Sequence, residues 1–320
     1  MMLLADVDSS PALLLAQYVI LGLTKGSLFA LIALGYTMVY GIIELINFAH
    51  GDLFMLGSFL ALTILGLFGL TSSADPWYLI AAALVLCFVA CPLFCALLNV
   101  AVDKLVYQPL RNAPKLAPLV SAIGVSFIFM NIGLFWGGSQ DVDFPKLIPD
   151  AAADNLLPES TGLRFTKKDA LVVGITVPLM LLLTAFVKYA KVGKAMRATA
   201  QNPTAAQLMG INTEMVIRTT FAIGGALAGA AGVIYGLTIG TVSYTIGFQN
   251  GLYAFTAAVV GGIGNIPGAV LGGVLIGLIT SLGSAYLGDQ WTNALVFSIL
   301  IIILVFRPSG LLGSRVREKV

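Results

Sequence analysis

The strongest constraint on this chain is a succession of apolar runs of about twenty residues, separated by short polar breaks. A run of that length with few charges is what an α-helix needs to cross the ~30 Å hydrocarbon core of a bilayer. Overall composition agrees: 58% of residues are hydrophobic, 10% are charged and the mean hydropathy is +0.97, far outside the range of soluble globular domains. The expectation is an all-α, polytopic membrane protein with roughly eight to ten transmembrane or partial helices, interrupted by two central helix breaks. Residues 1–320 then form a single transmembrane domain. A formal net charge of +2 is too small to argue for nucleic acid.

One polar island stands out. Residues 188–218 carry Lys188, Lys191, Lys194, Arg197 and Arg218 against the single acid Glu214. Such an excess in a short loop beside membrane spans marks the cytoplasmic side. Within it, Asn202 followed by Pro203 reads as an N-cap and first helical position, and Gly210 as a stop, which gives a two-turn helix over residues 203–209. That helix presents Ala205, Ala206, Leu208 and Met209, small and apolar where a water-exposed helix would be charged, so it is shaped for a groove in another protein.

Residues 1–10 contain Asp6 and Asp8 but no basic residue, so they lack the n-region of a secretory signal and are expected outside. Residues 11–24 are apolar but short of a span before Lys25 interrupts them. Either they lie along the membrane, or one long helix runs on to Ile46 with Lys25 snorkelling or facing a polar cavity. Spans follow at 26–46, 53–70, 77–100 and 117–136, with a basic cytoplasmic loop at 102–116 carrying Lys104, Arg111 and Lys115. Residues 138–168 form an external segment with Asp141, Asp143, Asp150, Asp154 and Glu159, either a partner surface or a solvated connector. Further apolar runs at 169–187, 219–239, 251–264, 269–287 and 291–306 bring the C-terminus, with Arg307, Arg315, Arg317 and Lys319, to the cytoplasm.

The two breaks are Ile46-Asn47-Phe48-Ala49-His50-Gly51, where Asp52 or Asn47 can cap the next helix, and Gly264-Asn265-Ile266-Pro267-Gly268. Interrupted helices at corresponding places in two halves point to a transporter's central pathway, so Asn47, His50, Gly51, Asn265 and Gly268 are candidates to border it. Freed amides at helix starts favour a carboxylate and freed carbonyls an ammonium. Tight helix packing is the competing reading, since Gly224, Gly225, Gly229, Gly232, Gly236, Gly272, Gly273 and Gly277 form small-residue faces. His50, the chain's one histidine, suits packing or hydrogen bonding better than a metal site. Cys87, Cys91 and Cys95 share a helix face without a His or carboxylate nearby, which favours core packing.

No Gly-x-x-x-x-Gly-Lys-Ser/Thr loop and no paired catalytic groups occur, so neither nucleotide binding by that device nor catalysis is expected in this chain. An ion-coupled carrier is the better rival to an ATP-driven one, yet only Lys25 and Glu44 come near the spans as ionisable groups. The run Ala205-Ala206-Gln207-Leu208-Met209-Gly210 resembles the coupling-helix signature of ABC importer permeases, with Thr204 where the family has Glu. Gly35-Tyr36-Thr37-Met38-Val39-Tyr40-Gly41, Ile46 to Gly51, and the stretch from Ala254-Phe255-Thr256 to Gly264-Asn265-Ile266-Pro267-Gly268 resemble the LivH-type permeases of branched-chain amino-acid ABC importers. The likeness covers nearly the whole chain, with Lys25 and Thr204 as departures. It implies a multi-pass subunit of the bacterial inner membrane, importing branched-chain amino acids, or urea or short amides as related permeases do. It also implies a second related permease, two cytoplasmic ATPases that use ATP and Mg, and a periplasmic substrate-binding protein. Under that resemblance Pro203, Thr204, Ala205, Ala206, Leu208, Met209 and Gly210 contact the ATPase.

Overall fold

Helix α1 runs without interruption from Pro11 to Ile43, 33 residues and about 50 Å. Of the two sequence alternatives, the long helix is the one observed, and Lys25 lies within it. The computed structural model describes residues 10–111, 113–114, 116–148, 155–158 and 161–313. Asp6, Asp8, Lys115, Asp150, Asp154, Glu159, Arg315, Arg317 and Lys319 lie outside the described residues. The helix ends at Glu44, whose φ of 54° is the one positive value at a non-glycine among the described residues. Its N–H still donates to the Tyr40 carbonyl.

Ten further helices follow: α2 (Ala49–Leu67), α3 (Trp77–Leu110), α4 (Leu116–Gly137), α5 (Lys167–Tyr189), α6 (Lys191–Gln201), α7 (Pro203–Leu208), α8 (Thr213–Ile239), α9 (Ile246–Gly261), α10 (Ile266–Leu287) and α11 (Thr292–Phe306). Of the eleven, eight including α1 are long and apolar enough to cross a membrane, α11 together with the turn that leads into it; α9, at 16 residues, is shorter. Two stretches expected as loops are largely helical. Helix α3 continues past residue 100 through a π-helical stretch, Asp103–Tyr107, because buried Asp103 pairs with Arg111 at 2.8 Å and Tyr107 is wholly enclosed. Residues 188–218 contain α6, α7 and the start of α8, so the polar island is a helical platform.

Two layers result. Most of α1, α2 and α8 is buried, and half of α10, whereas α3, α4 and α5 bury 22% of their most apolar stretch and α11 buries 11%. The outer helices leave Val85, Phe127, Leu181 and Phe306 exposed, a surface suited to lipid. The inner helices meet backbone to backbone. A Cβ on Gly277 would stand 2.2 Å from the Gly26 Cα across the α1–α10 contact, and one on Gly225 would stand 2.4 Å from the Cys95 carbonyl oxygen across α3–α8. Gly229, Gly232, Gly272 and Gly273 are equally close to a neighbouring backbone, so the small-residue faces serve packing. Cys87, Cys91 and Cys95 lie on this inner face as free thiols, with Cys95 donating to the Leu53 carbonyl at 3.2 Å.

The two ends differ. All three tryptophans, Trp77, Trp136 and Trp291, sit at the end opposite the 188–218 platform, where an interfacial aromatic belt is favourable. There the segment after α4 is anchored: β1 (Val142–Asp143) pairs antiparallel with β2 (Thr241–Val242), and Phe144 is buried against Gly236.

Candidate functional site

At the platform end, α7 forms as its residues dictate. Asn202 accepts the Ala205 N–H at 3.0 Å, Pro203 occupies the first helical position, and Gly210 closes the helix with φ +82°, which a residue with a Cβ resists. Pro203, Thr204 and Ala205 are exposed, and Leu208 and Met209 stand 84% and 83% exposed at the tip. Ala206 differs from its neighbours, being 4% exposed and turned into the protein itself. Gln207 ties the helix to α8 through Thr213 at 2.8 Å, and Asn212 caps α8 by accepting the Met215 N–H. Behind them, Arg197 on α6 donates to the last carbonyls of α5, those of Val187 and Lys188. Helix α7 is thus tied to α8, and α6 behind it to α5.

The first break is a latch. Asn47, 2% exposed, donates to the Asn99 side chain at 3.0 Å and accepts from the Tyr107 hydroxyl at 3.2 Å. Asn99 in turn donates to the Phe221 carbonyl at 2.7 Å, so α2, α3 and α8 are joined through one buried chain of hydrogen bonds. Neither Asn47 nor Asp52 caps α2, contrary to expectation: Phe48 is the N-cap residue and makes no side-chain bond, because both candidate side chains are engaged elsewhere. Asp52 accepts from Ser126 on α4 at 2.5 Å. His50 is fully enclosed beside Gly35 and Tyr36, with the His50 and Tyr36 ring centroids 4.8 Å apart, and among the described residues no group within 3.5 Å makes a well-aligned hydrogen bond to either ring nitrogen. Asp52 and His50 therefore join Lys25 among the ionisable groups inside the spans, more than were counted from sequence.

At the second break, Asn265 does cap: it accepts the Gly268 N–H at 3.2 Å and donates to the Leu312 carbonyl at 2.6 Å. Both breaks rest on α9. A Cβ on Gly51 would meet the Gly247 carbonyl at 2.5 Å and the Gly251 Cα at 2.7 Å, and one on Gly268 would meet the Gly261 carbonyl at 2.4 Å. These contacts are about 15 Å apart along the helix, so the five residues do not converge on a single site.

A feature that sequence reasoning did not assemble is a cavity of about 330 Å³ at the tryptophan-bearing end. Its floor includes Leu28, Phe29, Ile32 and Phe54; its rim includes Gln249, Asn250, Asp289 and Thr292. Lys25 lines it at the level of Val274 and Gly277, near the middle of α10, and among the described residues no carboxylate pairs with it. Asp289 lines the same space and is held by the Ser284 hydroxyl. The one sequence signal was Lys25 itself, a charge inside an apolar helix; its companions on other elements come from α2, α8, α9, α10, α11 and the turn at Asp289–Trp291, and no spacing connects them.

Residues 18–305 match the family described as branched-chain amino acid transport system / permease component. The chain is 40% identical over 299 residues to the high-affinity branched-chain amino acid transport system permease protein LivH of Escherichia coli, covering 93% of this chain and 96% of that protein. It is 41% identical over 309 residues to the corresponding protein BraD of Pseudomonas aeruginosa, covering 95% and 97%. No solved structure matches. With eight spanning helices built around close glycine contacts and a match that reaches from the first helix to the last, the chain belongs to the permease family of branched-chain amino acid transport systems.

Proposed function

We propose that this chain is the membrane-spanning subunit of an ATP-driven importer that carries branched-chain amino acids into the cytoplasm. The observation that carries the reading is α7: in a chain of this family, a capped six-residue helix holds Leu208 and Met209 out into solvent, where an apolar tip gains only by entering a partner's groove. The groove belongs to a cytoplasmic ATPase, one of two, which supplies ATP and Mg chemistry that this permease does not perform. A second related permease completes the pathway, and a periplasmic binding protein delivers substrate to the opposite end, where the cavity and the anchored 142–144 strand lie. That orientation places residues 188–218 and the C-terminus in the cytoplasm and the N-terminus outside the inner membrane, as the basic residues Lys188, Lys191, Lys194, Arg197 and Arg307 favour.

In this reading the breaks pin the two ends of α9. The Asn47–Asn99–Tyr107 bonds and the Asn265–Leu312 bond hold helix starts in place, and Gly51 and Gly268 let α9 close upon them. Nucleotide-driven movement of α7 reaches this region through α8, to which both α7 and the Asn99 bond are attached. Leucine uptake by proteoliposomes holding the complex, with ATP inside and the binding protein outside, tests the function. Uptake that requires ATP and is competed by isoleucine and valine is the expected result. Urea or acetamide uptake without leucine uptake, or leucine uptake driven by an ion gradient alone, would refute it.

A further inference from the structure

We infer that the cavity between α1, α9 and α10 is a station for a zwitterionic amino acid, with Lys25 binding its carboxylate and Asp289 its ammonium. This rests on the importer reading and goes beyond it, because it names the site and excludes substrates without charged groups.

The argument begins with Lys25. An ammonium in the middle of an apolar helix is costly unless it meets an anion or water, and such groups in membrane segments mark substrate or ion paths. Among the described residues Lys25 has no acid within ion-pair distance. Asp289 lines the same cavity, yet the two are not within ion-pair distance; among the described residues the side chain that bonds Asp289 is Ser284. A space that holds opposite, unpaired charges is complementary to a ligand that carries both. An anion alone would leave Asp289 opposed, and urea or an amide would leave both charges unmatched. Beyond Lys25 the floor is aliphatic and aromatic, with Leu28, Ile32 and Phe54 available for an apolar side chain. The volume, about 330 Å³, lies at the lower limit of the ~300–1,000 Å³ seen for small-molecule sites, suited to one amino acid rather than a peptide. The position also fits: the rim is at the ends of α8 and α10 away from α7, so the cavity receives substrate on the face where the binding protein releases it.

The test uses the complete complex in proteoliposomes. Charge-assisted bonds of this kind contribute enough that Lys25→Met should lower leucine uptake per assembled complex about tenfold or more, with Lys25→Arg retaining most of it. A second measurement reads occupancy without turnover. Gln249→Cys, at an exposed lining position, should react with a charged thiol reagent added outside, the native cysteines being buried. Millimolar leucine should slow that reaction several-fold; leucinamide, which lacks the carboxylate, should not, and Lys25→Met should abolish the protection. Wild-type uptake by Lys25→Met, or equal protection by leucine and leucinamide, would overturn the assignment. Should Lys25→Met assemble poorly, the protection measured with Lys25 in place decides alone. Protection needs no ATP, so an absence of ATP-driven uptake together with selective protection by leucine would overturn the importer reading and leave the site standing.

Discussion

Gly51→Leu should destabilise this protein by about 3 kcal/mol, and the reason is a crossing of two helices at backbone distance. At Gly51 a bare Cβ would lie 2.5 Å from the Gly247 carbonyl oxygen and 2.7 Å from the Gly251 Cα, whereas non-bonded heavy atoms settle at about 3.5–4.0 Å. Neither obstacle is a side chain that can rotate aside. Helices α2 and α9 must therefore separate by about 1 Å for the Cβ alone, and further for the remaining leucine carbons. Overpacking of a rigid interior costs about 1–3 kcal/mol, and with backbone on both sides the upper figure is a minimum. A loss of about 3 kcal/mol changes a folding equilibrium by two orders of magnitude, a large part of the stability of an ordinary domain. Gly124→Leu is the control. It makes the same chemical change inside helix α4, where nothing lies within 4 Å. Both variants gain the same helix propensity, so the difference between them isolates the crossing. The assay is the midpoint of heat-induced loss of the monodisperse peak in detergent, with Gly51→Leu roughly 6–12 °C below Gly124→Leu by the scaling of soluble domains. Equal midpoints, with Gly51→Leu defective only in transport, would refute the packing argument and make Gly51 a pathway residue.

Other expectations follow from the same geometry. Asn99→Leu removes the centre of the buried chain and leaves Asn47 and the Phe221 carbonyl without that partner, so detergent stability should fall by about 1–3 kcal/mol, read as an earlier melting midpoint than Asn131→Leu on exposed α4. Leu208→Asp with Met209→Asp should leave the permease folded but reduce ATPase retention in a pull-down about a hundredfold, since burial of each apolar side chain is worth about 1.5–3 kcal/mol. Ala206→Glu should act differently, lowering the stability of this chain itself, because Ala206 is enclosed by its own protein. Cysteines placed at Asp143 or Lys146 should be labelled from outside and those at Lys194 or Arg307 should not; the reverse would invert the topology.

The helices were legible in the sequence because the membrane requirement leaves few alternatives: an apolar run of span length has to be a helix, and the cap Asn202 announced where α7 begins. What could not be read was the fate of each polar side chain. Residues 188–218 looked like a loop because their basic residues interrupt the apolar runs on either side, yet Lys191, Lys194 and Arg197 lie on one face of α6 while Met196 packs inward. Asn47 and Asp52 stood at the proper offset to cap α2, and tertiary partners on α3 and α4 claimed them instead.

The same competition separates the candidate pathway residues. Asn47, Asn265 and Lys25 look alike in a linear sequence, each a polar group set against an apolar run. In three dimensions the first two each donate one hydrogen bond and accept another within the protein, and a side chain so engaged is costly to withdraw for a passing solute. Lys25 keeps its ammonium unpaired at the edge of a cavity, as Asp289 keeps its charge on the other side. Selectivity then resides in groups that the fold leaves incomplete, while the polar breaks set how far the helices around them can part. A substitution at a break should therefore change stability or the rate of opening for every substrate alike. Substitution of Lys25 should change which substrates are carried, and a ratio of leucine to leucinamide uptake that moves with Asn47→Ala but not with Lys25→Met would show the two roles to be reversed.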